Sequence, residues 1–484
     1  MNEAAVLAAA PKGLLIGGTW REAGGGGSFA VEDPATGDAL CRVADARAAD
    51  AAAALDAAAE AGAAWSVTAP RERGEILRRA YDEIAQRTDE LALLMTLEMG
   101  KPLAESRAEV TYANDFLRWF SEEAARIDGR YAVSPNGRGR LLTMKQPVGP
   151  CLLITPWNFP LAMGTRKIGP AIAAGATMVV KPARATPLSM LKLAEILGDA
   201  GLPDGVLNVL TTSRSGEVID PLFDDPRLRK LSFTGSTEVG SKLAARAAAK
   251  VLRISMELGG NAPFVVFGDA DLDAALDGAM IAKMRNMGEA CTSANRFLVH
   301  ASVFDEFSGR LADRMGALRL GRGTDPDIDV GPLIDDDARD KVAELVDDAV
   351  RRGARCLTGG AAVEGAGYFY RPTVVVDLPT DARLLHEEVF GPVAPIVSFE
   401  TEDEALEQAN GTEFGLVAYL YTEDLRRALR VSERLDVGMV GLNQGMVSNA
   451  AAPFGGVKQS GFGREGGYEG IEEYLETKYV AIGL

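Results

Sequence analysis

The sequence predicts an α/β protein built on two Rossmann-like parallel-sheet domains, and three observations carry that prediction. The first is size: 484 residues, 47% hydrophobic and 25% charged, form a globular composition too long for one small domain. The second is alternation. Short apolar runs at Cys151–Thr155, Met178–Lys181, Val206–Leu210, Lys230–Thr234 and Leu252–Met256 are separated by helical segments, as right-handed βαβ units require. The third is that the pattern starts again, at Phe264–Phe267, Phe297–His300, Val374–Val376, Ala394–Phe399, Val417–Tyr421 and Met439–Leu442.

Ahead of the first sheet, residues 47–64 are alanine-rich at helical spacing. Pro70 then opens an amphipathic stretch through Met99, closed by Gly100 and Pro102, and a third helix runs from about Ala104 to Asp128. Together they read as an N-terminal helical layer. Gly24–Gly27 reads as a flexible turn, and Gly321–Asp337 and Gly359–Gly367 as surface loops.

Composition excludes several functions. With 51 basic against 69 acidic residues, the net charge of −18 lacks the electrostatic footprint of a nucleic-acid or membrane-surface binder. No run approaches the roughly 20 apolar residues of a membrane span. The start, with Glu3 and a short Ala/Leu stretch, lacks the basic region of a secretion signal, so a cytoplasmic location is expected. Cys41, Cys151, Cys291 and Cys356 stand far apart without a C-x-x-C pair, against both a disulfide framework and a zinc ribbon. Two histidines, His300 at a strand end and His386 in an acidic loop, are too few for a metal site.

Open parallel sheets bind ligands beyond the carboxyl ends of their strands. Gly461-Phe-Gly463-Arg-Glu-Gly466 matches a dinucleotide fingerprint by letters, but follows no strand and opens no βαβ unit, so it reads as a turn. Phe233-Thr-Gly235-Ser236-Thr-Glu-Val-Gly240 is a better phosphate site, a strand running into a helix whose first N–H groups would face a pyrophosphate. An ordinary capped turn explains it nearly as well. Taken singly, Cys291 reads as a buried inert thiol, Glu257 as a loop carboxylate and Asn158 as a helix cap.

Together these segments resemble the aldehyde dehydrogenase superfamily. Thr155-Pro-Trp157-Asn158-Phe-Pro, Met178-Val-Val-Lys181-Pro, Phe233-Thr-Gly235-Ser236, Met256-Glu257-Leu-Gly-Gly-Asn, Glu387-Glu388-Val-Phe390-Gly-Pro and Pro453-Phe-Gly-Gly stand in family order, and the spacing from Glu257 to Cys291 is also the family's. The resemblance implies a catalytic set of Cys291 as nucleophile, Glu257 as the base that activates water, and Asn158 as oxyanion donor. It implies a cofactor site of Thr155, Trp157, Lys181, Arg184, Gly235, Ser236, Glu388 and Phe390 for NADP or NAD. Lys181-Pro-Ala-Arg184 lacks the glutamate with which relatives selective for NAD hold the adenosine ribose, so NADP is expected to be accepted.

Within the superfamily the resemblance is closest to the succinate-semialdehyde dehydrogenases, through Thr165-Arg166-Lys167, Arg285-Asn286, Val447-Ser448-Asn449 and the ending Gly470-Ile-Glu-Glu-Tyr-Leu-Glu-Thr-Lys-Tyr. It implies Arg166, Arg285 and Ser448 around an acidic semialdehyde, with a longer one (glutarate or 2-oxoglutarate semialdehyde) or a catalytically silent homologue as alternatives. The implied division is a dinucleotide-binding domain in 1–124 and 147–257, a catalytic domain in 258–456, and a small β oligomerisation arm in 125–146 and 457–484 of a homodimer or homotetramer. One departure is Gly288-Glu289-Ala290-Cys291, which puts a carboxylate near the nucleophile, where it would raise the thiol pKa if it pointed inward.

Overall fold

The computed structural model describes residues 2–483. Five parallel strands, Cys151–Ile154, Met178–Lys181, Leu207–Val209, Lys230–Thr234 and Arg253–Glu257, lie in the spatial order third, second, first, fourth, fifth. Leu14–Ile16 and Thr19–Arg21 extend one edge antiparallel, and Gly461–Phe462 the other. Runs such as Cys151–Ile154 and Met178–Lys181 are buried along their whole length, which is why they read as continuous apolar segments without alternation.

The second sheet starts four residues on. Ala262–Val266 is its first strand, followed by Ala294–His300, Thr373–Val376, Val393–Phe399, Val417–Tyr421 and Met439–Leu442, all parallel. Arg355–Thr358, which the apolar pattern did not single out because it is only half-buried, closes one edge antiparallel. A third sheet of Leu475–Ile482, Arg140–Pro147 and Arg130–Val133 is antiparallel, with Arg130–Val133 exposed throughout. Gly461–Phe462 belongs to the first sheet and not to this arm, because the chain passes back along Arg253–Glu257 on its way there. Gly461 opens that edge strand and Gly463 and Gly466 follow it, all three at positive φ.

The helical layer differs from expectation at one corner. The stretch from Pro70 to Met99 is two helices, Pro70–Gln86 and Thr88–Met99, broken where Arg87 leaves helical geometry at φ −106°, ψ 16°. No Gly or Pro marks the break. The guanidinium of Arg87 bridges it, bonding Glu83 before the corner and Glu90 after it. Residues Leu91–Met99 are buried on every side, so packing rather than an amphipathic stripe sets the second direction. The third helix runs Leu103–Glu123 and gives way to a short 3-10 turn, Ala124–Arg126. His386 ends a helical turn, Arg383–His386, and the helix Asp336–Arg351 begins inside the expected loop at 321–337.

Two buried carboxylates fasten this layer to the first sheet by capping helices that carry no cap of their own. Glu98 accepts the N–H groups of Leu188 (2.6 Å) and Ser189 (2.8 Å), and Glu109 those of Leu161 (3.0 Å) and Ala162 (3.1 Å). Among the described residues no helix is long and apolar enough to cross a membrane. Gly100 ends the helix Thr88–Met99 in the left-handed region at φ +90°, where a Cβ would stand 2.7 Å from the Pro332 ring, and it is this stop that turns Lys101 inward. Gly100→Ala should therefore cost about 1–3 kcal/mol of stability, read as a lowered midpoint in chemical denaturation.

Candidate active site

The strands Cys151–Ile154 and Lys230–Thr234 are neighbours whose crossovers leave in opposite directions, which opens a crevice at their carboxyl ends. Thr155-Pro156-Trp157 leaves one strand and Thr234-Gly235-Ser236 the other. Ser236 stands at the N-cap of the helix Thr237–Ala248 in extended geometry, yet its side chain makes no capping bond, so the first N–H groups of that helix remain available to an anion. A Cβ on Gly240 would meet Leu258 at 2.3 Å: the helix lies directly against the strand end. The hydroxyls of Thr155 and Thr234 are buried without partners. A cavity of about 260 Å³ is walled by Trp157, Gly235, Ser236, Glu257, Cys291 and Phe390, with the last edge-on to Trp157 at 5.4 Å.

Lys181 ends its strand buried and without an acid partner, and burial lowers its ammonium to about 8. Arg184 is exposed three residues on. Glu388 accepts the Gly260 N–H at 2.9 Å, while Lys341, which nothing in the sequence marked, donates to the Glu388 carbonyl at 2.7 Å and lines the same cavity. Helix start, orphaned hydroxyls and unpaired Lys181 fit a dinucleotide with its pyrophosphate at Gly235–Ser236 and a ribose near Lys181.

Cys291 follows three consecutive left-handed residues, Asn286, Met287 and Gly288, at φ +55°, +54° and +79°. Only a glycine fits at 288, where a Cβ would lie 2.2 Å from the Gly391 carbonyl. The strained turn is held from both sides. Glu105 accepts the Asn286 N–H at 2.6 Å, and the Asn286 amide donates to the carbonyls of Asn158 (3.1 Å) and Glu289 (2.9 Å). Lys101, ion-paired with Glu109 at 2.6 Å, donates to the same Asn158 carbonyl at 2.8 Å. The Asn158 side chain spends one amide hydrogen on Glu289 O (3.0 Å) and keeps the second.

Glu257 closes its strand facing Cys291. Burial pushes its carboxyl up to about 7, Arg166 and Lys167 pull it down, Glu465 pushes it up, and the Cys291 thiol lies near enough to pull it down further. Glu465 in turn is paired with Arg166 (3.1 Å) and Lys167 (2.5 Å). The Cys291 thiol is raised well above its ordinary value, first by burial and then by the Glu257 charge, with Arg166 opposing. Glu289 points away. Its side chain accepts the Ile334 N–H at 3.1 Å, and burial pushes its carboxyl well above the usual range while that bond opposes the shift.

On the far side of Asn158, beginning at Phe159, lies a second cavity of about 490 Å³ that includes Tyr112, Arg285, Met446 and Ser448 in its wall. The Arg285 guanidinium lies over the rings of Phe159 (4.7 Å) and Tyr112 (5.5 Å) and makes no ion pair among the described residues. Arg166 is not in that wall. It is buried under the Phe454 ring at 3.9 Å and tied to Glu465, so the structure brings Arg285 and Ser448 together and sets Arg166 behind them, near Glu257 and Cys291. Among the described residues no cluster suited to a metal ion occurs, and all four cysteines are free.

The charge pattern makes a testable statement about the resting thiol. Alkylation of Cys291 in the coenzyme-free protein should be slow at pH 7 and rise about tenfold per pH unit. Because the Glu257 charge raises the thiol, Glu257→Gln should speed alkylation at a fixed pH; an unchanged rate would mean the two groups do not sense one another.

Comparison with known proteins agrees with this geometry. Residues 20–480 match the aldehyde dehydrogenase family. A succinate-semialdehyde dehydrogenase of Paenarthrobacter nicotinovorans is 60% identical over 92% of this chain and 98% of its own, and a glutarate-semialdehyde dehydrogenase of Pseudomonas aeruginosa 48% identical over 97% of each. The crystal structure of an NADP-dependent enzyme of E. coli superposes with a TM-score of 0.97 at 49% identity, covering 98% of both chains. The fold, the crevice and these matches agree: the chain belongs to the aldehyde dehydrogenase family and is an NAD(P)-dependent member of it.

Proposed function

We propose that the protein oxidises succinate semialdehyde to succinate, with Cys291, Glu257 and Asn158 as its catalytic residues. The supporting observation is Arg285, a guanidinium without an acid partner, stacked on two aromatic rings beside Ser448 in the cavity next to Asn158. An acidic protein otherwise repels an anionic substrate, so a local unpaired cation is what such a substrate needs. The name of the Paenarthrobacter relative supports the four-carbon substrate, and that of the Pseudomonas relative keeps the five-carbon one as the alternative.

In this reading the Cys291 thiol loses its proton to solvent, the sulfur adds to the aldehyde carbon, and the oxygen becomes an oxyanion held by the free Asn158 amide hydrogen and the Cys291 N–H, leaving Glu257 ionised for the later step. The nicotinamide of bound coenzyme supplies a hydride acceptor for that carbon. Glu257 then takes a proton from water as the water adds to the thioester on Cys291, the C–S bond breaks, and the acid leaves. Cys291→Ala should abolish oxidation, whereas Glu257→Gln should retain a burst of reduced coenzyme and lose roughly 100- to 10,000-fold in steady-state turnover. Water activation needs the ionised carboxylate, and with Glu257 at about 7 kcat should climb with pH through that value and level off above it.

The distal carboxylate would meet Arg285 and Ser448 directly, with Arg166 contributing from beneath. Arg285→Ala should lower kcat/KM for succinate semialdehyde roughly 10- to 150-fold and spare butanal, whereas Arg166→Ala, which also removes a charge that holds Glu257 and the thiol down, should lower both; equal losses on both aldehydes from Arg285→Ala would make that arginine structural. For coenzyme, we propose Trp157, Phe390 and Glu388 around the nicotinamide end and Lys181 with the exposed Arg184 at a 2′-phosphate. NADP should then be used at least as well as NAD in paired kcat/KM measurements, and strict NAD selectivity would refute this assignment. We further propose a cytoplasmic homodimer or homotetramer joined through the exposed edge Arg130–Val133, with Tyr131 and Tyr479 solvent-facing in the single chain.

A further inference from the structure

Tyr112 stands beside Arg285 and next to the ring that Arg166 covers, and has no part in the chemistry described so far. It projects from the helix Leu103–Glu123, its ring edge-on to Phe116 at 5.1 Å. The Arg285 guanidinium lies 5.5 Å over the Tyr112 ring, and Arg166 lies 5.7 Å over the Phe116 ring, close enough to Tyr112 for the two to influence each other. The phenol oxygen is buried and has no hydrogen-bond partner; Arg166 Nη2 is in the same condition. Buried hydroxyls are rarely left so.

The carboxylates of this wall are already engaged. Glu105 accepts from Asn286, Glu109 from Lys101, Leu161 and Ala162, and Asp329 from Arg319. With two guanidinium groups near it, the phenol oxygen is stabilised by their positive charge, and an anionic oxygen is the favourable partner for its O–H. We infer that Tyr112 is a specificity-determining residue whose hydroxyl donates a hydrogen bond to the distal carboxylate of the substrate between Arg166 and Arg285. The inference rests on the acidic-semialdehyde reading above and adds a neutral donor to the two charged ones.

Tyr112→Phe tests it, since the ring and its contacts with Phe116 and Arg285 are kept. Expected is a loss of roughly 10- to 100-fold in kcat/KM for succinate semialdehyde, carried by KM, with butanal within about twofold and the thermal midpoint unchanged. Arg285→Ala run in parallel separates the two claims. If Arg285→Ala removes the preference for the acidic aldehyde while Tyr112→Phe leaves it intact, or lowers both aldehydes equally, the role of Tyr112 is overturned and the substrate reading stands. If Arg285→Ala also leaves the preference intact, both fall.

Discussion

The carbonyl oxygen of Asn158 is the point through which the rest of the site is held. Lys101 reaches it from the helical layer and Asn286 from the nucleophile turn, so one acceptor ties the first sheet, the helices in front of it and the Cys291 loop into one frame. The Lys101–Glu109 pair behind it is almost wholly buried, each side chain 1% exposed. Such pairs do little for net stability, because desolvation consumes most of the attraction. What this one contributes is direction: Glu109 fixes the start of the helix Ala162–Ala174, Lys101 fixes Asn158 four residues before it, and the Asn158 amide is left with one hydrogen free.

Much of this was legible in the sequence, and the remainder was hidden for identifiable reasons. Both sheets showed themselves because their strands are apolar and punctuated, and Cys291, Glu257 and Asn158 because their blocks occur in family order. The half-buried edge strand Arg355–Thr358 carries no such signal, and the corner at Arg87 has no helix-breaking residue. Lys101, Glu109, Asn286, Lys341 and Tyr112 were missed because each acts through partners far away in sequence, as Asn286 with Asn158 does. The side chain of Glu289 shows the converse. Adjacency in sequence suggested pressure on the thiol, but the turn through Asn286–Gly288 sends the carboxylate to Ile334.

Electrostatically, the site reverses the character of the molecule. A chain with net charge −18 sets Arg166 and Lys167 behind Glu257 and Arg285 in the cavity beyond Asn158. Arg166 and Lys167 share a single carboxylate, Glu465, and the surplus holds down a buried Glu257 that burial alone would raise further. Glu257 therefore sits near neutrality by opposition of two effects, not by exposure.

The return of the chain along Arg253–Glu257 also imposes an order on biosynthesis. Arg166 and Lys167 leave the ribosome some three hundred residues before Glu465, and until then two buried cations have no counter-charge. A nascent chain can build its first sheet from residues up to 257, yet the edge strand Gly461–Phe462 and the carboxylate just beyond it arrive only near the end. The Cys291 thiol thus acquires its full electrostatic surroundings as one of the last events of synthesis, and a polypeptide truncated before residue 461 would carry Cys291 and Glu257 without the carboxylate that balances Arg166 and Lys167.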